Sequence, residues 1–442
     1  MTIQSRVSRR TALKALASTA FAVPFVYRAH GQGQAPNETV LHASFGAGGM
    51  ALADINSLTG SRNLRLVAVA DVDTSRFAEI RKRFPNCRVY QDWRELLDKE
   101  KELNSANIST PDHMHAPITM KAMQRGLHVY TQKPLTQTIY ESRQLTRVAA
   151  DRKLVTQMGI QIHSHEVHRT VVAMVHDGAI GKVREVHSWS GKQWGSRDPR
   201  PDRRDDVPAT LDWNGWLGVA EERPYIRNYY HPGEWRKRLD FGTGTFGDMG
   251  CHILDPVFQS LGVGNPRSVR SEGDAPNADS WGLNVLVRYV FPGTRYTTDS
   301  VTLTWYNGNS RPPEELRKEI GNRQFHDQGS IYIGTEGVLY SPYIAQPVLF
   351  PEEKFRDYKK PQPGGRNHYL QFVEAVRGNG ETSAPFSFSG PLTEMVLLGC
   401  LATRFPRQTL EWNQADMTVI NIKEANAFVR RRYRRGYEVE GL

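Results

Sequence analysis

The sequence predicts an α/β protein: an N-terminal doubly wound parallel sheet, followed by an α+β domain with a large, open, mainly antiparallel sheet. Three observations predict it. From Val40 to about Gly159, short β-branched runs alternate with longer amphipathic stretches, the pattern of a parallel sheet covered by helices on both faces. Further along, strand-like runs follow one another without helices between them, joined by turns such as Pro292-Gly293, which favours antiparallel pairing. The 442 residues, 39% of them hydrophobic and 24% charged, can bury two or three cores and exclude a disordered chain.

In the first half, Val40–Phe45, Leu64–Ala70, Ser105–Ser109, Leu127–Thr131 and Leu154–Met158 read as strands. The stretches Met50–Leu58, Ser75–Arg83, Asp92–Lys101, Ala116–Arg125 and Tyr140–Asp151 read as the helices between them. A helix over His165–Gly178 closes this half, which gives a first domain over 36–159 and a second over 160–429. In the second, Lys182–Ser190, Leu283–Phe291, Arg295–Tyr306, Ser330–Gly334 and Val338–Tyr340 alternate as strands, with late helices at Asn367–Arg377 and Leu392–Leu401. Residues 195–240 form a long insert rich in Pro, Arg, Asp and Trp, and its many aromatics argue against disorder.

The net charge of +10 suggests nucleic acid or an anionic membrane until its distribution is considered. Arg6, Arg9, Arg10, Lys14 and Arg28 fall in residues 1–31, which contain no acid, and Arg430, Arg431, Arg432, Arg434 and Arg435 fall in a basic tail, 430–442. Outside those clusters the chain carries 47 basic and 47 acidic residues. The arginine run follows a helix-like stretch, Glu424–Val429, and suits a solvated helix end. No zinc-finger spacing or RNA-binding aromatic motif supports a nucleic-acid partner. The apolar stretch Ala15–Tyr27 is 13 residues long and holds Ser18, Thr19 and Pro24, too short to span a bilayer but suited to an export signal. Ser8-Arg9-Arg10-Thr11-Ala12-Leu13-Lys14 resembles a twin-arginine signal, with Ala12 where a bulkier residue is usual, and Ala29-His30-Gly31 offers a cleavage site. The expected destination is the periplasm.

Phe45-Gly46-Ala47-Gly48-Gly49-Met50-Ala51 leaves the first strand and opens the first helix. Gly46 permits a tight turn, Gly48 lets a pyrophosphate approach the backbone, and Ala51 keeps the helix close to the strand. Asp71, at the end of the second strand, stands where a carboxylate binds a ribose 2′-hydroxyl and repels a 2′-phosphate. NAD is therefore the expected cofactor, with NADP still open because Arg76 lies nearby. The segments Ser109–Ala116 and Thr131–Leu135 follow later strands, at the edge where open α/β sheets bind ligands. Asp248 and His252 would share one helix face, although Pro256 should end or kink that helix. His163, His165, Glu166 and His168 lack zinc-ligand spacing and read as an exposed helix start; no metal is expected. The three cysteines, Cys87, Cys251 and Cys400, form no disulfide framework.

The glycine motif, Thr110-Pro111-Asp112-His113-Met114-His115, Lys133-Pro134, Asp248-Met249-Gly250-Cys251-His252 and the turn Gly334-Thr335-Glu336-Gly337 occur in this order. Together they resemble the glucose–fructose oxidoreductase / inositol dehydrogenase (Gfo/Idh/MocA) family of sugar and polyol dehydrogenases, from about Val40 to Val429. The resemblance implies a Rossmann domain and an α/β domain whose open sheet serves oligomerisation, giving a homodimer or homotetramer. It implies that Lys133 hydrogen-bonds the reacting hydroxyl, that His252 is the general acid/base, and that Asp248 binds the sugar beside it. Gly46, Ala47, Gly48, Gly49, Met50, Asp71, Thr110, Pro111, His115, Gln132, Lys133 and Gln161 then form the cofactor site. Gln132 departs from the family's usual glutamate, and a neutral amide cannot offset the charge of a buried Lys133. Independently, oxidising a secondary alcohol needs a proton acceptor and a cation beside the oxygen, which imidazole and lysine supply.

In the insert, Trp213, Trp216, Tyr225, Tyr229, Tyr230, His231, Trp235 and Arg236 suit a carbohydrate, with Tyr230, Trp235 and Arg236 as the substrate contacts and about half the aromatics serving as packing. A folded, cofactor-loaded protein moved by the twin-arginine route meets no free nicotinamide pool, so its NAD is expected to stay bound through turnover. The hydride then returns to a second sugar or to the same molecule. The second route is that of an NAD-dependent glycoside-cleaving enzyme working through a transient keto-sugar. A non-catalytic NAD-binding sensor is the third alternative.

Overall fold

The computed structural model describes residues 39–442; the export-signal reading of residues 1–31 lies outside them. Six parallel strands build the first sheet: β1 (Val40–Phe45), β2 (Leu64–Ala70), β3 (Arg88–Tyr90), β4 (Ser105–Ile108), β5 (His128–Gln132) and β6 (Thr156–Gly159). Their order, β3-β2-β1-β4-β5-β6, reverses direction between β1 and β4, where doubly wound sheets open a ligand crevice. The crossovers are α1 (Met50–Leu58), α2 (Phe77–Arg83), α3 (Trp93–Lys99), α4 (Asp112–Gln124) and α5 (Ile139–Asp151). Local signals start several of them. Asp92 accepts from the Arg94 amide to cap α3, and Thr138 and Glu141 form a reciprocal capping box on α5.

The chain continues through α6 (Glu166–His176), β7 (Val183–Ser190), the short α7 (Trp213–Leu217) in the insert, and α8 (Gly244–Leu261). Then come β8 (Ser268–Ser271), β9 (Val285–Pro292), β10 (Thr297–Asn307), α9 (Leu316–Glu319), β11 (Gln328–Gly334), β12 (Val338–Pro342) and β13 (Val348–Phe350). The helices α10 (His368–Val376) and α11 (Phe386–Ala402) precede β14 (Thr409–Asn413) and β15 (Thr418–Val419). These strands form a nine-stranded sheet, β13-β12-β11-β7-β10-β9-β8-β14-β15, antiparallel except between β7 and β10. The fold class read from the sequence is the one observed. Buried almost along its whole length, α11 packs between α5 and α8 and joins the two sheets into one core. Among the described residues no helix is long and apolar enough to cross a membrane.

Three local expectations are corrected. Pro256 does not end α8, which runs on to Gly262, a left-handed C-cap with φ 61°. Burial of nearly every α8 side chain against α6 and α11 outweighs the hydrogen bond that Pro256 removes. For the same reason α4 begins at Asp112, ahead of Pro117, and not at Ala116. Residues 423–428 form a 3-10 helix, and the arginines after it divide: Arg430, Arg432 and Arg435 are exposed, as a solvated end requires, while Arg431 and Arg434 turn inward. Arg434 is 7% exposed; it donates to the Gly218 carbonyl at 3.0 Å and to Asn214 Oδ1 at 2.8 Å. The Tyr433 hydroxyl donates to Glu141 Oε1 at 2.7 Å. A guanidinium has enough donors to satisfy backbone carbonyls when buried, and residues 430–442 act as a strap across α5 and the insert.

The insert packs against the end of β2. The Thr74 amide donates to the Thr210 carbonyl, and the Asp212 amide to the Val72 carbonyl, both at 2.9 Å. Its aromatics form their own cluster with Leu211, Leu217, Ile226 and Phe241.

Candidate active site

A cleft of about 360 Å³ runs along the carboxyl edge of the first sheet, from Asp71 at the end of β2 to Asp248 on α8. At its first end lies the loop between β1 and α1. Gly46 has φ +106°, and a Cβ there would sit 2.8 Å from the Ser109 carbonyl oxygen, so the position admits only glycine. No side chain caps α1, and of its first three amides only that of Ala51 is taken, by the Gly48 carbonyl, which leaves the others to an anion. Gly48, Gly49 and Met50 line the cleft beside them. Asp71 accepts from the Ala47 amide at 2.8 Å and from the Asp73 amide at 2.9 Å. Burial raises its carboxyl above the ordinary value despite those bonds. Each oxygen keeps a lone pair for a ribose hydroxyl. The uncapped helix, the Cβ-free loop and the carboxylate fit a dinucleotide.

The opposite end holds charged side chains. Lys133, after β5, donates to Asp248 Oδ1 at 2.7 Å and to the Asp248 carbonyl at 2.9 Å. Arg236 and Lys192 approach the same carboxylate at 3.6 Å and 3.7 Å. Burial alone would raise the Asp248 carboxyl, but Lys133, Arg236 and Lys192 hold it well below the carboxylate range. Asp112, wholly buried, receives the Thr243 hydroxyl at 2.7 Å, and burial pushes its carboxyl up to about 7. His252 lies one turn along α8 from Asp248. Burial first, and then the charge of Lys133, lowers its imidazole well below the usual value. It is therefore neutral at neutral pH and able to accept a proton.

Of the residues singled out from sequence, Gly46, Gly48, Gly49, Met50, Asp71, Thr110, Pro111, His115, Gln132, Lys133, Trp235, Arg236 and Asp248 line this one cleft. Ala47 contributes only its amide, to Asp71. His115 bridges two of the loops, its ring nitrogens 2.7 Å from the Pro134 carbonyl and 2.8 Å from that of Thr110. Three of the named residues lie off the cleft wall. Tyr230 is 1% exposed and packs on Trp213, Trp216 and Phe241, away from the cleft. Gln161 donates to the Tyr369 hydroxyl at 2.9 Å instead of facing the cleft. His252 does not line the cleft wall, and its Nδ1 is buried without a partner. The expected exposed histidines are mostly buried: His163 pairs with Asp255 at 2.8 Å, and only His165 is exposed, capping α6.

The counter-charge that Gln132 lacks comes from Asp248. Gln132 itself donates to Asp54 at 2.9 Å, where Ser109 and Tyr369 hydroxyls also donate, at 2.7 Å and 2.9 Å. Burial pushes the Asp54 carboxyl up to about 6. Sequence reasoning missed Asp54, Asp112, Lys192 and Tyr369. The available signal for Asp54 was an acid on the same helical face as Ala51, Ile55 and Leu58.

Comparison with known proteins agrees with this geometry. A family model described as "Oxidoreductase family, NAD-binding Rossmann fold" matches residues 42–160, and one described as "Oxidoreductase family, C-terminal alpha/beta domain" matches residues 170–295. Levoglucosan dehydrogenase of Pseudarthrobacter phenanthrenivorans is 24% identical over 42% of this chain and 40% of its own length. The NADP(+)-dependent scyllo-inositol 2-dehydrogenase of Bacillus subtilis is 21% identical over 46% of each chain. Both matches thus span less than half of the relative. The crystal structure of an aldose-aldose oxidoreductase from Caulobacter crescentus, complexed with glycerol, superposes with a TM-score of 0.58 over 85% of this chain and 100% of that one, at 15% identity, a likeness of fold. With the two family models matching in sequence order across more than half of its residues, the chain belongs to the Gfo/Idh/MocA oxidoreductase family, an NAD-binding Rossmann domain followed by the family's C-terminal α/β domain.

Proposed function

We propose that this protein is an exported oxidoreductase that moves a hydride between a secondary alcohol of a sugar or polyol and a tightly held NAD. The observation that carries the reading is the single cleft with the uncapped glycine loop and Asp71 at one end and the Lys133–Asp248 pair at the other. Bound NAD supplies the hydride acceptor. Lys133, oriented by Asp248, hydrogen-bonds the reacting hydroxyl and stabilises its developing negative charge. His252, neutral at working pH and one turn along α8 from Asp248, takes the hydroxyl proton. Trp235 offers an apolar face to sugar C–H groups, and Arg236, stacked 4.3 Å from the Trp235 ring centroid, donates to hydroxyls. The sugar and polyol substrates in the names of the two dehydrogenases support this class.

Asp71 supports NAD over NADP. Retention of the cofactor is supported by the insert, whose backbone is bonded to the end of β2 beside Asp71. Export is supported by the basic, acid-free residues 1–31 and their twin-arginine pattern. The test is to purify the protein from an export-competent host and add candidate sugars without cofactor, following absorbance of reduced nicotinamide. Reduction that persists until a second sugar arrives is the expected result. Glycoside cleavage without net reduction would replace the proposal with the hydrolytic route, and no response from NAD-loaded protein would replace it with a sensor. Protein purified without nicotinamide that turns over freely on added NAD would overturn retention.

A further inference from the structure

A second cavity, of about 380 Å³, lies behind the loop that leads into α8 and is lined by Arg404, Arg430, Arg431 and Arg432. We infer that it binds a tetrahedral oxyanion, phosphate or sulfate, independently of the chemistry in the cleft.

The key residue is Arg404. Its guanidinium lies 5.1 Å from the Trp281 ring centroid and 4.5 Å from that of Phe428. Among the described residues it has no hydrogen-bond acceptor and no carboxylate within ion-pair distance. Other inward-facing arginines are matched: Arg143 with Glu394 at 2.6 Å, and Arg238 with Ser280 Oγ at 2.6 Å. A half-buried guanidinium without an acceptor leaves its donors open on the cavity wall, and such burial as it has lowers its affinity for its proton. Of the acids on the cavity wall, Asp240 offsets its charge from beyond ion-pair distance. Asp240 is ion-paired to Arg223, and Glu221 is exposed. Arg431 is fixed on the wall by the Asp240 carbonyl at 3.0 Å, and Arg430 by the Leu442 carbonyl at 2.7 Å. Arg432 has no partner among the described residues and is exposed.

Several guanidinium groups on the wall of one cavity, one of them without an acceptor, suit an oxyanion that accepts charge-assisted bonds from more than one of them. Residues 1–31 are a poor occupant, because they carry five basic residues and no acid. The cavity is separate from the cleft, and Thr243 on its wall donates its hydroxyl to Asp112 on the cleft's wall at 2.7 Å.

The test is calorimetric titration of the NAD-loaded full chain with inorganic phosphate, sulfate and methyl phosphate, at fixed ionic strength in chloride. Loading with NAD keeps the pyrophosphate position occupied. Saturable binding of inorganic phosphate is expected. Arg404→Met, which keeps stacking volume, should weaken it about 10-fold or more, and the exposed Arg432→Gln should weaken it less without touching the fold. A monoester that binds tighter than phosphate would identify an ester as the occupant, and equal affinity would identify the free anion; both support the site. No saturable binding by the wild type, or both variants binding as the wild type does, overturns it.

Discussion

At the cofactor end of the cleft the chain presents backbone: the Gly46–Gly49 turn and the open first turn of α1, with Asp71 held by two amides. At the substrate end it presents charged side chains, Lys133, Lys192, Arg236 and Asp248, drawn from four separate segments. The cofactor end is specified locally, by φ angles and the lack of a Cβ. The substrate end is specified by tertiary packing, since Lys133 and Asp248 are 115 residues apart. Damage to one end should therefore leave the other standing.

The sharpest separation comes from Lys133→Met. It should lower kcat/KM by about 10³ while NAD affinity, measured by fluorescence titration, stays unchanged. Loss of NAD binding in parallel would show that the ends are not independent. Next in size is a pH effect. The folded Asp112 keeps its proton up to about pH 7, whereas the unfolded chain releases it near 3.8. Between those values the unfolded state binds fewer protons, so this group makes stability fall as pH rises. Asp112→Asn removes that dependence. Wild-type stability should drop relative to the variant by on the order of 3 kcal/mol between pH 5 and pH 8, as read from paired denaturant titrations; a pH-independent difference would refute it.

The mirror image of the lysine variant is Gly46→Ala. A side chain at φ +106°, 2.8 Å from the Ser109 oxygen, carries about 2 kcal/mol of strain. NAD affinity should fall roughly 30-fold, with kcat at saturating NAD retained. The smallest effect belongs to Tyr230→Phe. Its hydroxyl is buried without a partner, so stability should move by less than about 1 kcal/mol and kcat/KM should not change. A large rise in KM would return Tyr230 to the substrate.

The same contrast explains what could be read from the sequence. The limits of β1, β2 and α1 match their expectation residue for residue, because continuous apolar runs and a glycine turn mark them. The strand β3 was missed, being three residues long and only half-buried at best. β14 and β15 were missed too: β15 is a two-residue edge piece, and the five residues of β14 alternate too briefly to stand out. In the site, the glycines, Asp71 and Lys133 were legible from motif and strand position. Lys192 and Asp54 were not, because what makes each of them matter is a neighbour far away in sequence. The insert gave mixed results: Trp235 and Arg236 line the cleft, while Tyr225, Tyr229 and Tyr230 pack against one another and their neighbours.

The strap has a consequence for the order of events during synthesis. Arg434 ties down Asn214 from 220 residues further along the chain. At any rate of translation, the insert leaves the ribosome long before its fastener exists. During that interval the α7 turn at Asn214 and Gly218 has no closing contact from 430–442, so the insert is a nascent-chain liability of the kind chaperones cover. The Rossmann half can mature early, but closure of the cleft's cover is a late, post-translational act.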